Sequence, residues 1–284
     1  IYQSLNQLFK ILDTMMAAHI SANAVSTVAY LSQINMAISA LGGGLAVGAS
    51  IKISEAYGEG NFELVKRRVS TLFALCGLLG MAILAILIPV APQFLRLANT
   101  PEEFIEEGTV YFILELVSLV IIFFNNVYIA IERARGNSKR ILNLNVMVIG
   151  IKLSLTAFFV YVLKGGINDI SIATIVSQLA LLGAAVFYMN AKENVFGFSW
   201  KAISFRKSVV APMIKLSVPV IVEKMAFSLG KVVVNSMSTV YGTLTVGALG
   251  ISNNIGGITT NPQNGISGGC FCDHQPESWC RKEK

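Results

Sequence analysis

The chain has 284 residues, 54% of them hydrophobic and 13% charged, with a mean hydropathy of +0.64, whereas an ordinary soluble domain carries about 25% charged residues. This composition excludes a disordered chain and a nucleic-acid-coating protein, and the formal net charge of +6 fits basic loops facing an anionic membrane surface instead. Only Cys76 lies outside the last fifteen residues and only His19 and His274 are histidines, which excludes a disulfide framework in the body and a multi-histidine metal centre.

A membrane helix needs about 20 mostly apolar residues, and the chain offers a series of such stretches. Thr14 to Ile51 is uncharged and long enough for the end of one helix, a link at Ser21-Ala22-Asn23 and a second helix. Val69 to Leu95 carries no charge, and Leu116 to Ile131 continues N-terminally across the single Glu115. Ile141 to Leu163 is broken only by Lys152, and Ile170 to Ala191 is uncharged. Val209 to Gly230, with Lys215, Glu223 and Lys224, is the least clear span; Val232 to Cys272 is again uncharged. The pattern predicts helices near 1–19, 23–54, 68–92, 104–131, 140–163, 170–190, 210–239 and 244–269, with turn formers at Asn99-Thr100-Pro101, Gly136-Asn137-Ser138, Gly165-Gly166 and Tyr241-Gly242 between them. A soluble all-α core of this size has no room to bury so many uncharged spans, so the fold class is an all-α polytopic membrane protein.

Charge orients the spans. Alternate links carry eleven basic residues: Lys66, Arg67 and Arg68, then Arg133, Arg135, Lys139 and Arg140, then Lys192, Lys201, Arg206 and Lys207. The other links hold only Arg96 and Lys164, with an acidic run at Glu102, Glu103, Glu106 and Glu107. The positive-inside rule places the first three basic links, and the N-terminal side, in the cytoplasm. The chain starts at Ile1 partway into a helix, and missing N-terminal sequence is the expected reason.

An internal repeat lies at an offset of about 221 residues, setting Lys10 to Ser50 on Lys231 to Gly269, Gly44 on Gly265 and Gly48 on Gly269. Gly- or Pro-interrupted segments at matching places in two halves point to a transporter's binding region; small residues at that spacing also serve close helix packing. With six helices between the copies, the halves are parallel repeats about an axis along the membrane normal.

On these residues the chain resembles the multidrug and toxic compound extrusion (MATE) family: Asp13-Thr14-Met15; Gly44-Leu45-Ala46-Val47-Gly48 running on to Ser54-Glu55-Ala56-Tyr57-Gly58-Glu59-Gly60; Arg135-Gly136-Asn137-Ser138-Lys139; Leu216-Ser217-Val218-Pro219; and Tyr241-Gly242-Thr243-Leu244. Each motif is modest, but their order and spacing are specific together, and the resemblance covers nearly the whole chain to Gly269. It implies a two-lobe bundle of twelve helices. This chain then holds a first six-helix lobe over 1–190, a cytoplasmic linker over 191–209, and the first two helices of the second lobe over 210–269. The implied activity is secondary active export of organic, cationic and amphipathic, drug-like compounds in exchange for protons or sodium, by alternating access at the plasma membrane. No cofactor beyond the coupling ion is implied, the full-length protein is expected to be a monomer in the bilayer, and no nucleic acid is expected as a partner. The alternatives are a lipid-linked precursor flippase of the same superfamily and a truncated product that does not transport.

Asp13 and Lys152 are the expected ion-coupling residues. The resemblance places proton or sodium coupling at an Asp in the first helix, and a carboxylate in the membrane costs about 2.5–3.5 kcal/mol on insertion scales; an ion pair with Lys10 is the bland alternative. Asn6 lies on the same helical face as Asp13. Family members often carry Asn at the position of Lys152 and Asp four residues later, where this chain has Thr156. A fixed ammonium there argues against sodium coupling by the first lobe, and it can pair with Asp13 or carry the exchanged proton itself; snorkelling is the alternative. Glu115, Thr156, Gln178 and Glu223, with Asn6, are the substrate-cavity candidates. Gln178 and the pair Asn125-Asn126 also read as ordinary interhelical hydrogen-bonders, and Glu223 as a partner for Lys224. No phosphate loop, nucleophile elbow or metal-protease signature is present, so neither an enzyme nor an ATP-driven pump is expected. The tail 270–284 breaks abruptly with the apolar helix before it. Cys270, Cys272, His274 and Cys280 match no structural zinc spacing, and no metal site is expected. One permitted codon choice read a nucleotide later restores Ala-Ser-Ala-Ile-Ile-Ser after Gly269, in register with Ala49-Ser50-Ile51-Lys52-Ile53-Ser54 after Gly48, and a frameshift is the expected origin of the tail.

Overall fold

In the computed structural model, residues 22–97, 102–190 and 196–242 are described, together with isolated positions between 245 and 256. Seven α-helices carry these residues: α1 (Ala22–Gly58), α2 (Phe62–Leu87), α3 (Ala91–Leu97), α4 (Glu102–Ala134), α5 (Ser138–Ala157, running on as a π-helical turn Phe158–Val162), α6 (Ile167–Met189) and α7 (Lys207–Ser238). No strand occurs among the described residues. Five of the helices, within α1, α2, α4, α5 and α6, are long and apolar enough to cross a membrane. α7 is helical throughout but carries Lys215, Glu223, Lys224 and Lys231, and is not one of the five.

The expected elements agree with these helices except at the ends. The span expected over 68–92 is two helices: Pro89 has no N–H for the ladder and its ring disfavours helix at the residue before it, so α2 ends at Leu87 and the chain restarts as α3. α2 also begins six residues early, because its first two turns are the charged run Glu63 to Arg68. The helix expected over 1–19 lies outside the described residues, as does most of the one expected over 244–269.

Two turns at the basic end are built alike. Gly60, two residues past the end of α1, has φ +73°, and Gly136, two past the end of α4, has φ +74°. Each is followed by Asn, whose N–H reaches back to a helical carbonyl: Asn61 N to Ala56 O and Asn137 N to Glu132 O, both 3.0 Å. A left-handed residue past a helix end satisfies the last carbonyls, and glycine takes that conformation without strain. Asn61 then caps the next helix, its Oδ1 accepting from Leu64 N at 3.1 Å.

α1 is central. It packs along α7 and α4 and also touches α2, while α4 in turn lies on α6 and α2, and α5 on α6. The α1–α7 contact is backbone-close. A Cβ at Gly48 would run into the Ser217 Cα, and one at Gly44 would meet the Ile221 Cα at 3.0 Å. Ser217 Oγ donates across this seam to Leu45 O at 3.2 Å. Gly44 and Gly48, which the repeat singles out, thus let two helices approach.

The three basic links meet at one end of the bundle. An Arg68 guanidinium N–H donates to Lys52 O. The Tyr57 ring lies 4.9 Å from that of Phe196, and the Arg135 guanidinium sits 5.3 Å over the same Phe196 ring. Glu132, 1% exposed, pairs with Arg135 at 3.1 Å and Arg140 at 3.4 Å, and Arg140 covers the ring of Tyr188.

Candidate functional site

The polar side chains within the apolar spans converge on α4. Glu115 lies seven residues beyond Gly108, where the apolar stretch of α4 begins, so at 1.5 Å per residue it is about 10 Å inside the end opposite the basic links. Both carboxylate oxygens accept from other helices: Asn35 Nδ2 on α1 donates to Oε2 at 3.4 Å, and Ser171 Oγ on α6 donates to Oε1 at 3.0 Å. Asn35 is buried and Ser171 is fully so. A single ionisable group thus joins three helices. Protonation would give one of its oxygens an O–H and turn an acceptor of hydrogen bonds into a donor.

About 15 Å further along α4, Asn125 Nδ2 donates to Gln178 Oε1 at 2.8 Å and to Gln178 O at 3.0 Å. These amide hydrogen bonds tie α4 to α6. Among the described residues, several buried polar atoms have no hydrogen-bond partner: Asn35 Oδ1, Ser118 Oγ, Asn125 Oδ1 and Thr156 Oγ1. Buried polar atoms are rarely left so, and they mark the surfaces of α1, α4 and α5 on which a polar group can be received.

Lys152 is half-buried and Thr156 wholly buried, one turn apart on α5. Asp13 and Asn6 lie outside the described residues. Glu223 is exposed on α7 and is not joined to the Glu115 cluster. Its neighbour Lys224 is exposed as well, but Lys224 Nζ and Asn126 Nδ2 each lie 3.9 Å from the point where a Gly43 side chain would begin. Asn35, Ser171 and the Lys224–Asn126 juxtaposition are absent from the sequence-based candidates. Asn35 had a signal, since Ser32, Gln33 and Asn35 form a polar patch within an otherwise apolar helix.

The family signature MatE matches residues 1–158, more than half of the chain. The chain belongs to the MATE family. Among curated relatives, the Probable multidrug resistance protein YoeA of Bacillus subtilis (strain 168) is 25% identical over 226 residues, covering 77% of this chain and 49% of the relative. The Probable multidrug resistance protein YpnP of the same organism is 26% identical over 168 residues, covering 59% and 37%. The chain therefore spans about half the length of the first relative and less of the second. A multidrug resistance MATE family transporter of the MOP superfamily solved in an inward-facing conformation superposes with a TM-score of 0.81 at 20% identity, over 95% of this chain and 63% of that one. An outward-facing structure so described gives 0.77 at 20% identity, over 92% and 61%. MATE proteins are transporters and not enzymes, and this one is a multi-pass membrane protein.

Proposed function

We propose that the full-length MATE protein is a secondary active antiporter that exports organic, amphipathic, cationic compounds in exchange for protons or sodium, by alternating access. The observation that carries this reading is the Glu115 carboxylate, set inside an apolar span and bonded to both α1 and α6. A carboxylate can bind a proton or a cation, and its charge state biases the helices it joins between two arrangements. Asp13 and Lys152 are the other proposed coupling residues, with Asn6, Thr156, Gln178 and Glu223 proposed for the substrate path. We place the protein in the plasma membrane with the basic links in the cytoplasm.

The test is transport by the completed protein in vesicles with an imposed proton or sodium gradient. Accumulation of an organic cation driven by either gradient is the expected result, and accumulation that neither gradient changes overturns the antiport reading. Asp13→Asn should abolish coupling with expression retained; coupling that survives makes Asp13 structural. One observation favours a second reading, a lipid-linked precursor flippase: the exposed Lys224 has its Nζ 3.9 Å from the point where a Gly43 side chain would begin, where an anionic headgroup would find it. Transport of an anionic lipid-linked substrate in place of the cation decides for that alternative.

A further inference from the structure

We propose that the segment Phe196–Lys207, between α6 and α7, is a binding site for anionic lipid headgroups. This rests on the reading of the chain as membrane-embedded and not on its transport activity.

The segment is fixed in place and fixed in depth. Ser199 N donates to Ser70 Oγ at 3.0 Å, and Ser204 N donates to Thr71 Oγ1 at 3.1 Å, with Thr71 Oγ1 donating back to Ser204 O at 3.3 Å. Ser70 and Thr71 stand where α2 passes from the charged run Glu63 to Arg68 into the uncharged stretch that starts at Val69. That transition is the level at which a spanning helix leaves the headgroups for the hydrocarbon. The segment is therefore held at the membrane–water boundary by three hydrogen bonds.

Its two sides differ. Phe196 is 2% exposed between Tyr57 and Arg135, and Phe198 packs on the ring of Phe73 at 5.8 Å. The other side presents Trp200, 79% exposed, and Phe205, 57% exposed, with Lys201, Arg206 and Lys207 also exposed beside them. Trp200 is braced edge-on by Phe198 at 5.1 Å, so its exposure is a built position. From Phe196 to Val222 the sequence has four basic residues and no acidic one. Tryptophan concentrates at the headgroup level, and each Lys or Arg near an anionic surface adds attraction that falls off within a Debye length. Charge complementarity thus selects an anionic headgroup as the occupant, over a neutral lipid.

The sequence has two tryptophans, Trp200 and Trp279, so Trp279→Phe leaves Trp200 as the only reporter. The chain is reconstituted in phosphatidylcholine vesicles containing brominated phosphatidylglycerol or, at the same mole fraction, brominated phosphatidylcholine, and its retention is checked by alkaline wash. Quenching of Trp200 should show about fivefold preference for phosphatidylglycerol, the scale set by one basic residue at an anionic surface. Lys201→Gln, Arg206→Gln and Lys207→Gln together should bring the ratio to one while quenching by phosphatidylcholine persists. Equal quenching by the two lipids in the unsubstituted segment overturns the proposal. So does quenching by aqueous iodide but not by lipid, and so does protection from both, which would mean that another part of the protein covers Trp200. A chain lost in the alkaline wash overturns the membrane reading itself.

Discussion

Glu132 shows most directly what a single residue does at the basic end. Its carboxylate is 1% exposed and its partners Arg135 and Arg140 are about a third exposed. Glu132→Ala removes the shared anion and leaves two arginines facing each other beside Tyr188 and Phe196. Breaking a buried pair costs about 3–5 kcal/mol; water reaching the arginines lowers this to about 2 kcal/mol. The expected result is a lower melting temperature in detergent for Glu132→Ala and a smaller drop for Arg135→Ala, which leaves Arg140 in place. Equal drops would mean that Arg140 contributes nothing. Glu115 is expected to behave differently. Glu115→Gln keeps an oxygen for one of the two donors, Asn35 and Ser171, so the fold should persist while gradient-driven transport by the full-length protein weakens. Full coupling in Glu115→Gln would leave Glu115 as a tie between helices only. In the sequence, Glu115 and Lys152 were legible as charges inside apolar runs. The partners of Glu115 were not, because Asn35 and Ser171 are neutral and lie 80 and 56 residues from it in the chain.

At the scale of helices, the apolar runs revealed that α1, α2, α4, α5 and α6 exist, and turn chemistry decided where they stop. Gly136-Asn137-Ser138 could be read as a link, yet in the matching Gly60-Asn61 turn Gly60 reads only as the end of a motif that carries the family resemblance, and its positive φ shows its role. Helix partners were not legible. The glycine pair Gly44 and Gly48 signalled close packing, but the identity of the neighbour, α7, depends on the fold. That contact makes a contrast between adjacent glycines testable. Gly48→Ala places a Cβ into the backbone of Ser217, and overpacking of this kind costs about 1–3 kcal/mol. Gly43→Ala meets nothing closer than 3.9 Å and gains helix propensity of up to about 1 kcal/mol. Gly48→Ala should therefore lower the melting temperature while Gly43→Ala leaves it unchanged or raises it. The reverse order would show that α1 and α7 do not meet at Ser217.

For the molecule as a whole, the distribution of charge along the sequence becomes a distribution in space. The contacts of Arg68 with Lys52, of Tyr57 and Arg135 with Phe196, and of Ser70 with Ser199 gather the basic links at one end, while Arg96 and Lys164 belong to the other. Whichever leaflet holds that end, its links must share it, since helices that cross in succession alternate in direction. On the count of eleven basic residues against Arg96 and Lys164 we propose that this end faces the cytoplasm, because basic loops resist translocation. With Cys76, Cys270, Cys272 and Cys280 replaced by Ser, single cysteines at Asn137 and at Gly165 report the two ends. A membrane-impermeant maleimide should label the Gly165→Cys variant in intact cells and the Asn137→Cys variant only after permeabilisation. Labelling of Asn137→Cys from outside would invert the orientation. It would also place the Phe196–Lys207 segment against the outer leaflet, since Phe196 contacts Arg135 two residues away from the reporter.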